Sequence, residues 1–138
     1  MNILFFLTPK SNTEYVFLQS TIRQTTEKMD IHGYTAIPVI DQEGKYVKTI
    51  AEGDILHFIK NDLKFDLEKA EQCTIASLQP KKEIHAIRAD ANMEDLFGLA
   101  LSQNFIPVVD DYQHYIGIIR RREILSYFFN LSKETHHG

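Results

Sequence analysis

Cysteine is almost missing from this chain. The single Cys73 excludes an internal disulfide and fits a reducing, cytoplasmic setting. Long apolar runs are missing too: nothing approaches the roughly 20 residues that cross a bilayer. Residues 1–7 are apolar but short, with no basic start and no small-residue cleavage site, so they do not read as a signal peptide. No membrane association is expected. There is no excess of positive charge. The formal net charge of −4 argues against a general nucleic-acid binder, whose affinity would come from neutralising phosphates. The six histidines show no metal-ligand spacing. No Ser-His-Asp order and no glycine-rich phosphate loop supports catalysis. No catalytic residue, metal site or catalytic cofactor is therefore expected.

What is present begins with ordinary bulk. The chain has 138 residues, 43% hydrophobic and 25% charged, enough for one compact domain or two half-domains sharing a core. Its organising feature is a repeat. Residues 37–61 fall on residues 106–130 with a shift of 69 and no gap. Ile37, Pro38, Val39, Asp41, Tyr46, Ile50, Ile55, Leu56 and Asn61 meet Ile106, Pro107, Val108, Asp110, Tyr115, Ile119, Ile124, Leu125 and Asn130. Such a repeat sets the architecture before any single motif is read.

The pattern predicts a strand or short helix over residues 2–7 and a short strand over 14–17. A capping box at Thr21 and Gln24 opens a helix over 21–32, ended by Gly33. A strand over 34–40, a turn at 41–44 with Gly44, a return strand over 46–51 and a helix over 52–60 follow, with Ile55, Leu56 and Ile59 facing inward. Residues 66–72 read as a surface helix and 74–78 as extended. The second copy predicts strands over 83–88, 105–109 and 115–119. Its helices start at Asn92 and span 122–131, before a polar, frayed tail over 132–138. The fold class is α+β: two β-α-β-β-α repeats packed about a pseudo-two-fold axis. Repeat 1 spans about 8–61, the connector 62–80 and repeat 2 about 81–131. Such packing leaves clefts where the copies meet, and clefts are default ligand sites.

These residues resemble the CBS-domain family in its tandem arrangement, the Bateman module. Repeat 1 carries Ile37-Pro38-Val39-Ile40-Asp41 and then Lys48-Thr49-Ile50-Ala51-Glu52-Gly53-Asp54-Ile55-Leu56. Repeat 2 carries Ile106-Pro107-Val108-Val109-Asp110 and then Gly117-Ile118-Ile119-Arg120-Arg121-Arg122-Glu123-Ile124-Leu125. The opening Phe6-Leu7-Thr8-Pro9-Lys10 and the turn at Gly44-Lys45-Tyr46 resemble the small stand-alone CBS proteins of Gram-positive bacteria.

The resemblance implies a regulatory module that binds an adenine nucleotide (AMP, ADP, ATP or cyclic di-AMP) between the repeats. It implies a role for each site residue. Asp54 accepts hydrogen bonds from the ribose hydroxyls. Backbone groups of Tyr34, Thr35 and Ala36, and of the segment from Ser11 to Thr13, read the adenine edge. Ala51 stands where the family has a phosphate-binding Thr or Ser, with Thr49 as the substitute. Arg120, Arg121 and Arg122 are phosphate candidates, and Glu123 replaces the ribose-binding Asp in repeat 2. Lys48 replaces the family glycine that Gly117 keeps. The alternative is a ligand-independent interaction scaffold with degenerate nucleotide sites. The resemblance also implies a homodimer through helix faces, with Phe58, Tyr127, Phe128 and Phe129 as candidates, and an unnamed effector protein. Asp54 read alone is simply a helix N-cap.

Overall fold

The computed structural model describes residues 1–137. In chain order the elements are a 3-10 turn (Ile3–Phe6), strand β1 (Thr8–Pro9), a second 3-10 turn (Lys10–Asn12), β2 (Val16–Phe17), helix α1 (Ile22–His32), β3 (Ala36–Ile40), β4 (Tyr46–Ala51), α2 (Glu52–Asn61), α3 (Leu67–Gln72), a third 3-10 turn (Ile75–Ser77), β5 (Ile87–Arg88), α4 (Met93–Ala100), β6 (Phe105–Val109), β7 (Tyr115–Arg120) and α5 (Arg121–His137). They form two compact units. One is residues 14–84; the other joins residues 1–13 to the chain from His85 onward.

In the 14–84 unit a three-stranded sheet has the order β2-β3-β4, with β2 parallel and β4 antiparallel to β3. Helix α1 starts where the sequence placed it. Thr21 Oγ1 accepts from the Gln24 N–H at 3.0 Å, and Gln24 Oε1 accepts from the Thr21 N–H at 2.9 Å. Two of the orphan N–H groups at the helix start are satisfied this way. Gly33 ends the helix in the left-handed region. Ile22, Met29, Ile37, Ile50, Ile55, Ile75 and Leu78 make the core.

The other unit repeats this plan with one addition. Its sheet has the order β1-β7-β6-β5, so the second return strand is flanked by a strand from the chain's first residues. Thr8 lies opposite Ile118 and Pro9 opposite Gly117. Ile3 and Phe6 join Ile87, Leu96, Ile106, Val108, Ile119 and Ile124 in its core. Both hairpins carry a register shift at matching places, Val39/Ile40 and Val108/Val109. Asp41 and Asp110 build the two turns alike. Each Oδ1 accepts two backbone N–H groups, from Glu43 and Lys45 and from Tyr112 and His114.

Several sequence expectations are corrected. Leu56 does not face inward: it is 66% exposed, while Ile55 is buried. Within residues 74–78, Ile75–Ser77 form a 3-10 turn between extended caps, and Lys48 donates to the Ile75 and Leu78 carbonyls. The strand expected over 83–88 is confined to Ile87–Arg88. The tail from Ser132 does not fray but continues α5 to His137; Gly138 lies outside the described residues. Residues 1–13 pair with and pack on the part of the chain from His85 onward. Local pattern rules specify strands and turns, not which copy a flanking segment completes. Among the described residues no helix is long and apolar enough to cross a membrane.

Candidate functional site

In the 14–84 unit the residues singled out in the sequence gather where β3 begins and β4 ends. Ala36 lies opposite Ala51 in the β3–β4 ladder, and the Glu52 N–H donates to the Thr35 carbonyl at 3.0 Å. This pairing brings the Tyr34–Thr35–Ala36 segment beside the start of α2. Asp54 sits in the first turn of that helix, where a carboxylate is favoured by the positive end of the helix dipole. Its Oδ2 accepts from the Ala51 N–H at 2.9 Å. Its Oδ1 accepts from the Lys81 N–H at 3.0 Å. Asp54 is therefore a backward cap on its own helix and a tie to the connector. Thr35 is exposed and Ala36 half-buried. Tyr34 packs against the core, and its hydroxyl accepts from the Glu14 N–H at 3.0 Å.

Thr49, expected to substitute for the hydroxyl missing at Ala51, is turned to Tyr46. It is 3% exposed and lies 2.8 Å from the Tyr46 hydroxyl. Tyr46 donates its one proton to the Ile84 carbonyl at 2.7 Å, so Thr49 must donate to Tyr46. Burial, with a smaller push from Glu83, raises the Tyr46 phenol to about 12, against the opposing Thr49 bond. Lys48, at the family's glycine position, turns back to donate to the carbonyls of Ile75 at 2.9 Å and Leu78 at 2.6 Å. Burial lowers its pKa.

The remaining candidates lie in the other unit. Thr13 is buried; its hydroxyl donates to the Lys10 carbonyl at 2.9 Å and meets the Tyr115 hydroxyl at 2.8 Å. Ser11 is exposed. Arg120 donates to Thr8 Oγ1 at 3.2 Å. Arg121 is committed to structure. Its Nε donates to the Ala100 carbonyl at 2.7 Å, at the carbonyl end of α4, and its guanidinium to Asn104 Oδ1 at 2.9 Å. Arg122 and Glu123 are exposed. Of the three consecutive arginines, one is thus a helix-end clamp.

Sequence reading missed Gln103. It is 2% exposed and clasps the chain at His85. Its Oε1 accepts from the His85 N–H at 2.9 Å, and its Nε2 donates to the His85 and Phe105 carbonyls at 3.0 and 3.3 Å. The repeat shift of 69 places it opposite Tyr34, and that alignment is the signal that could have found it. Both residues fasten the backbone entering their unit. Among the described residues no cluster of His, Cys, Asp and Glu could hold a metal ion.

Comparison with known proteins places this geometry. The model of the CBS domain matches twice, over residues 9–61 and 75–130. Cyclic di-AMP receptor B of Bacillus subtilis is 29% identical over 93 residues, 67% of this chain. The match spans 63% of that protein's length. The crystal structure of CbpB in complex with c-di-AMP superposes with a TM-score of 0.89 at 22% identity, over 99% of this chain and 90% of that one. CBSX2 in complex with AMP gives 0.75 at 24% identity, over 95% and 98%. These likenesses carry the fold, and the doubled match covers most of the sequence: the chain belongs to the CBS domain family.

Proposed function

We propose that this chain is a regulatory module that binds an adenine nucleotide, cyclic di-AMP first among them, and passes its occupancy to a partner protein. The observation that carries this reading is Asp54: a carboxylate at the start of α2, beside the Thr35–Glu52 junction, in a chain of this family with a relative named as a cyclic di-AMP receptor. A carboxylate offers two oxygens to the two hydroxyls of a ribose. Backbone groups of Tyr34, Thr35 and Ala36 are the ones proposed to read a base edge, supported by their pairing beside the start of α2. Ala51 supplies no hydroxyl to phosphate. In the second repeat Glu123 holds the matching position, with Arg122 exposed next to it and Arg120 two residues further back. Ser11 and Thr13 are its lesser candidates. The module is a binding device, not an enzyme, and regulation requires that the nucleotide prefer one state over another.

Calorimetry with AMP, ADP, ATP and cyclic di-AMP tests this. At least one is expected to bind, and Asp54→Ala is expected to weaken it by about tenfold or more, the worth of hydrogen bonds to a charged group. Absence of heat with all four nucleotides would rule the reading out.

A ligand-independent scaffold is the second reading, favoured by the committed state of Thr49, Arg121 and the His85 backbone. Capture of a partner that is equally strong with and without nucleotide would support it.

The module is also proposed to form homodimers through helix faces. Phe58 and Tyr127 pack against the cores, but Phe128 is 43% and Phe129 67% exposed. In the 14–84 unit a groove of about 1060 Å³ runs along α1 and α2, lined by Ile22, Met29, Ile55, Leu56 and Ile59. Light scattering at twice the monomer mass is the expected result.

A further inference from the structure

We propose that copies of this chain associate by seating the α4–α5 ridge of one in the α1–α2 groove of another. This rests on the homodimer reading above and adds to it which surface meets which.

Three observations carry the inference. First, the two repeats present opposite shapes on matching helices. In the 14–84 unit α3 gives the groove a further wall, through Leu67, Ala70 and Glu71. Gly53 also lines it, and a Cβ built there would meet nothing within 4 Å. In the other unit the corresponding face is a ridge. The shift of 69 sets Arg122 against Gly53 and Phe128 against Ile59, so larger side chains replace smaller ones. Phe128 packs edge-to-face on Phe97, with centroids 5.7 Å apart, and on Tyr127 at 5.3 Å. These contacts hold the ring before any partner arrives, which reduces the entropy lost on docking. Leu125 lies one turn before Phe128 and Leu101 one turn after Phe97, 62% and 87% exposed.

Second, groove and ridge carry opposite charge. Asp30 and Glu52 border the groove and are exposed, and no hydrogen bond or ion pair takes up either carboxylate among the described residues. Arg23, the one cation lining the groove, is already shared by Glu27 and Glu71. On the ridge Arg122 is exposed, and its guanidinium is equally unclaimed among the described residues. It lies one turn before Leu125, on the same helix face. Third, like surfaces do not suit each other. Groove against groove brings the free carboxylates of two copies together around unfilled space. Ridge against ridge opposes Arg122 with its own copy. Like charges set face to face count against a partner, so the charges select ridge in groove.

Charge reversal tests the pairing. Association is measured by sedimentation velocity over a range of concentrations on wild type, on Asp30→Arg/Glu52→Arg, on Arg122→Glu, and on a chain carrying all of these changes. The altered positions are exposed, so the fold is kept. Ridge in groove predicts that reversing either surface alone weakens association about tenfold, because like charges then meet. The combined chain is expected to recover to within about threefold of wild type, because the signs are opposite again. Unchanged association when either surface is reversed, or no recovery in the combined chain, overturns the pairing and leaves the homodimer reading standing. A wild type that stays monomeric at every concentration overturns both. A further variant fills the groove. Gly53→Leu has open space for its Cβ within one copy, and leucine suits a helix better than glycine. Loss of association with an unchanged circular dichroism spectrum is expected. Association at the wild-type level overturns the pairing.

Discussion

Gln113 occupies the turn position that Gly44 holds in the first copy, and both have positive φ, +71° and +86°. A side chain in that region is crowded against its own carbonyl, by about 1 kcal/mol or more. Gln113→Gly is therefore expected to stabilise the protein by about 0.5–1 kcal/mol, read from the denaturant midpoint. Tyr46 gives a prediction with a pH sign. Its folded pKa of about 12 lies above the ordinary 10.0, so the folded protein keeps a proton that the unfolded chain has lost. The stabilisation is full below 10 and is lost as pH rises towards 12. Tyr46→Phe is expected to unfold more easily at neutral pH, by about 1–3 kcal/mol for the orphaned Thr49 and Ile84 partners, and to show a smaller loss between 10 and 12 than wild type. Thr25 is the opposite case. Its hydroxyl is buried with no partner. Thr25→Val keeps the shape and removes the unpaired group, so thermal stability is expected to rise by about 1 kcal/mol.

Among the elements, β1 is one of three two-residue strands and the one most dependent on a single residue. A Cβ at Gly117 would stand 2.2 Å from the Thr8 carbonyl oxygen and 3.1 Å from Pro9 Cα, and Gly117 has φ of +151°. Gly117→Ala is expected to cost about 3 kcal/mol and to strip exchange protection from the β1–β7 amides while sparing β3–β4. The family glycine here admits a neighbouring strand. In the first copy no strand among the described residues pairs with that edge of β4; Lys48 reaches from the same position to hold a 3-10 turn instead. That exchange explains which elements the sequence made legible. The capping box at Thr21, the Asn92 cap, the paired hairpins and the turn aspartates follow from local chemistry that any copy of those residues would repeat. Leu56 misled because apolar residues at helical spacing were read as one inward face, though its neighbours Ile55 and Ile59 reach the core and it does not. The tie between Asp54 and Lys81 was illegible for a different reason. Its donor is a backbone N–H, which leaves no mark on residue identity.

At the scale of the whole molecule, the period of 69 residues was plain in the sequence. The chain passes from one unit to the other at Thr13–Glu14 and again at Ile84–His85. Each side of each seam is fastened: Thr13 by Tyr115, Glu14 by Tyr34, Ile84 by Tyr46 and His85 by Gln103. Three of these four clasps use a tyrosine hydroxyl and one an amide, so only the structure shows them as equivalent. Removing residues 1–13 is expected to lower exchange protection around β7 much more than around β4, a difference that amide exchange resolves.

The placement of β1 beside β7 also sets an order of assembly. Residues 14–84 are one uninterrupted length of chain, with their own sheet and core, and can fold as they leave the ribosome. Their predecessors cannot: Thr8 has no strand to pair with until Ile118 has been made. Residues 1–13 are thus made before the strand they pair with and find their place after it. A circular permutant that begins at Glu14 and carries residues 1–13 after residue 138 would render both units continuous, so that residues 1–13 would be made after β7 and could pair with it at once.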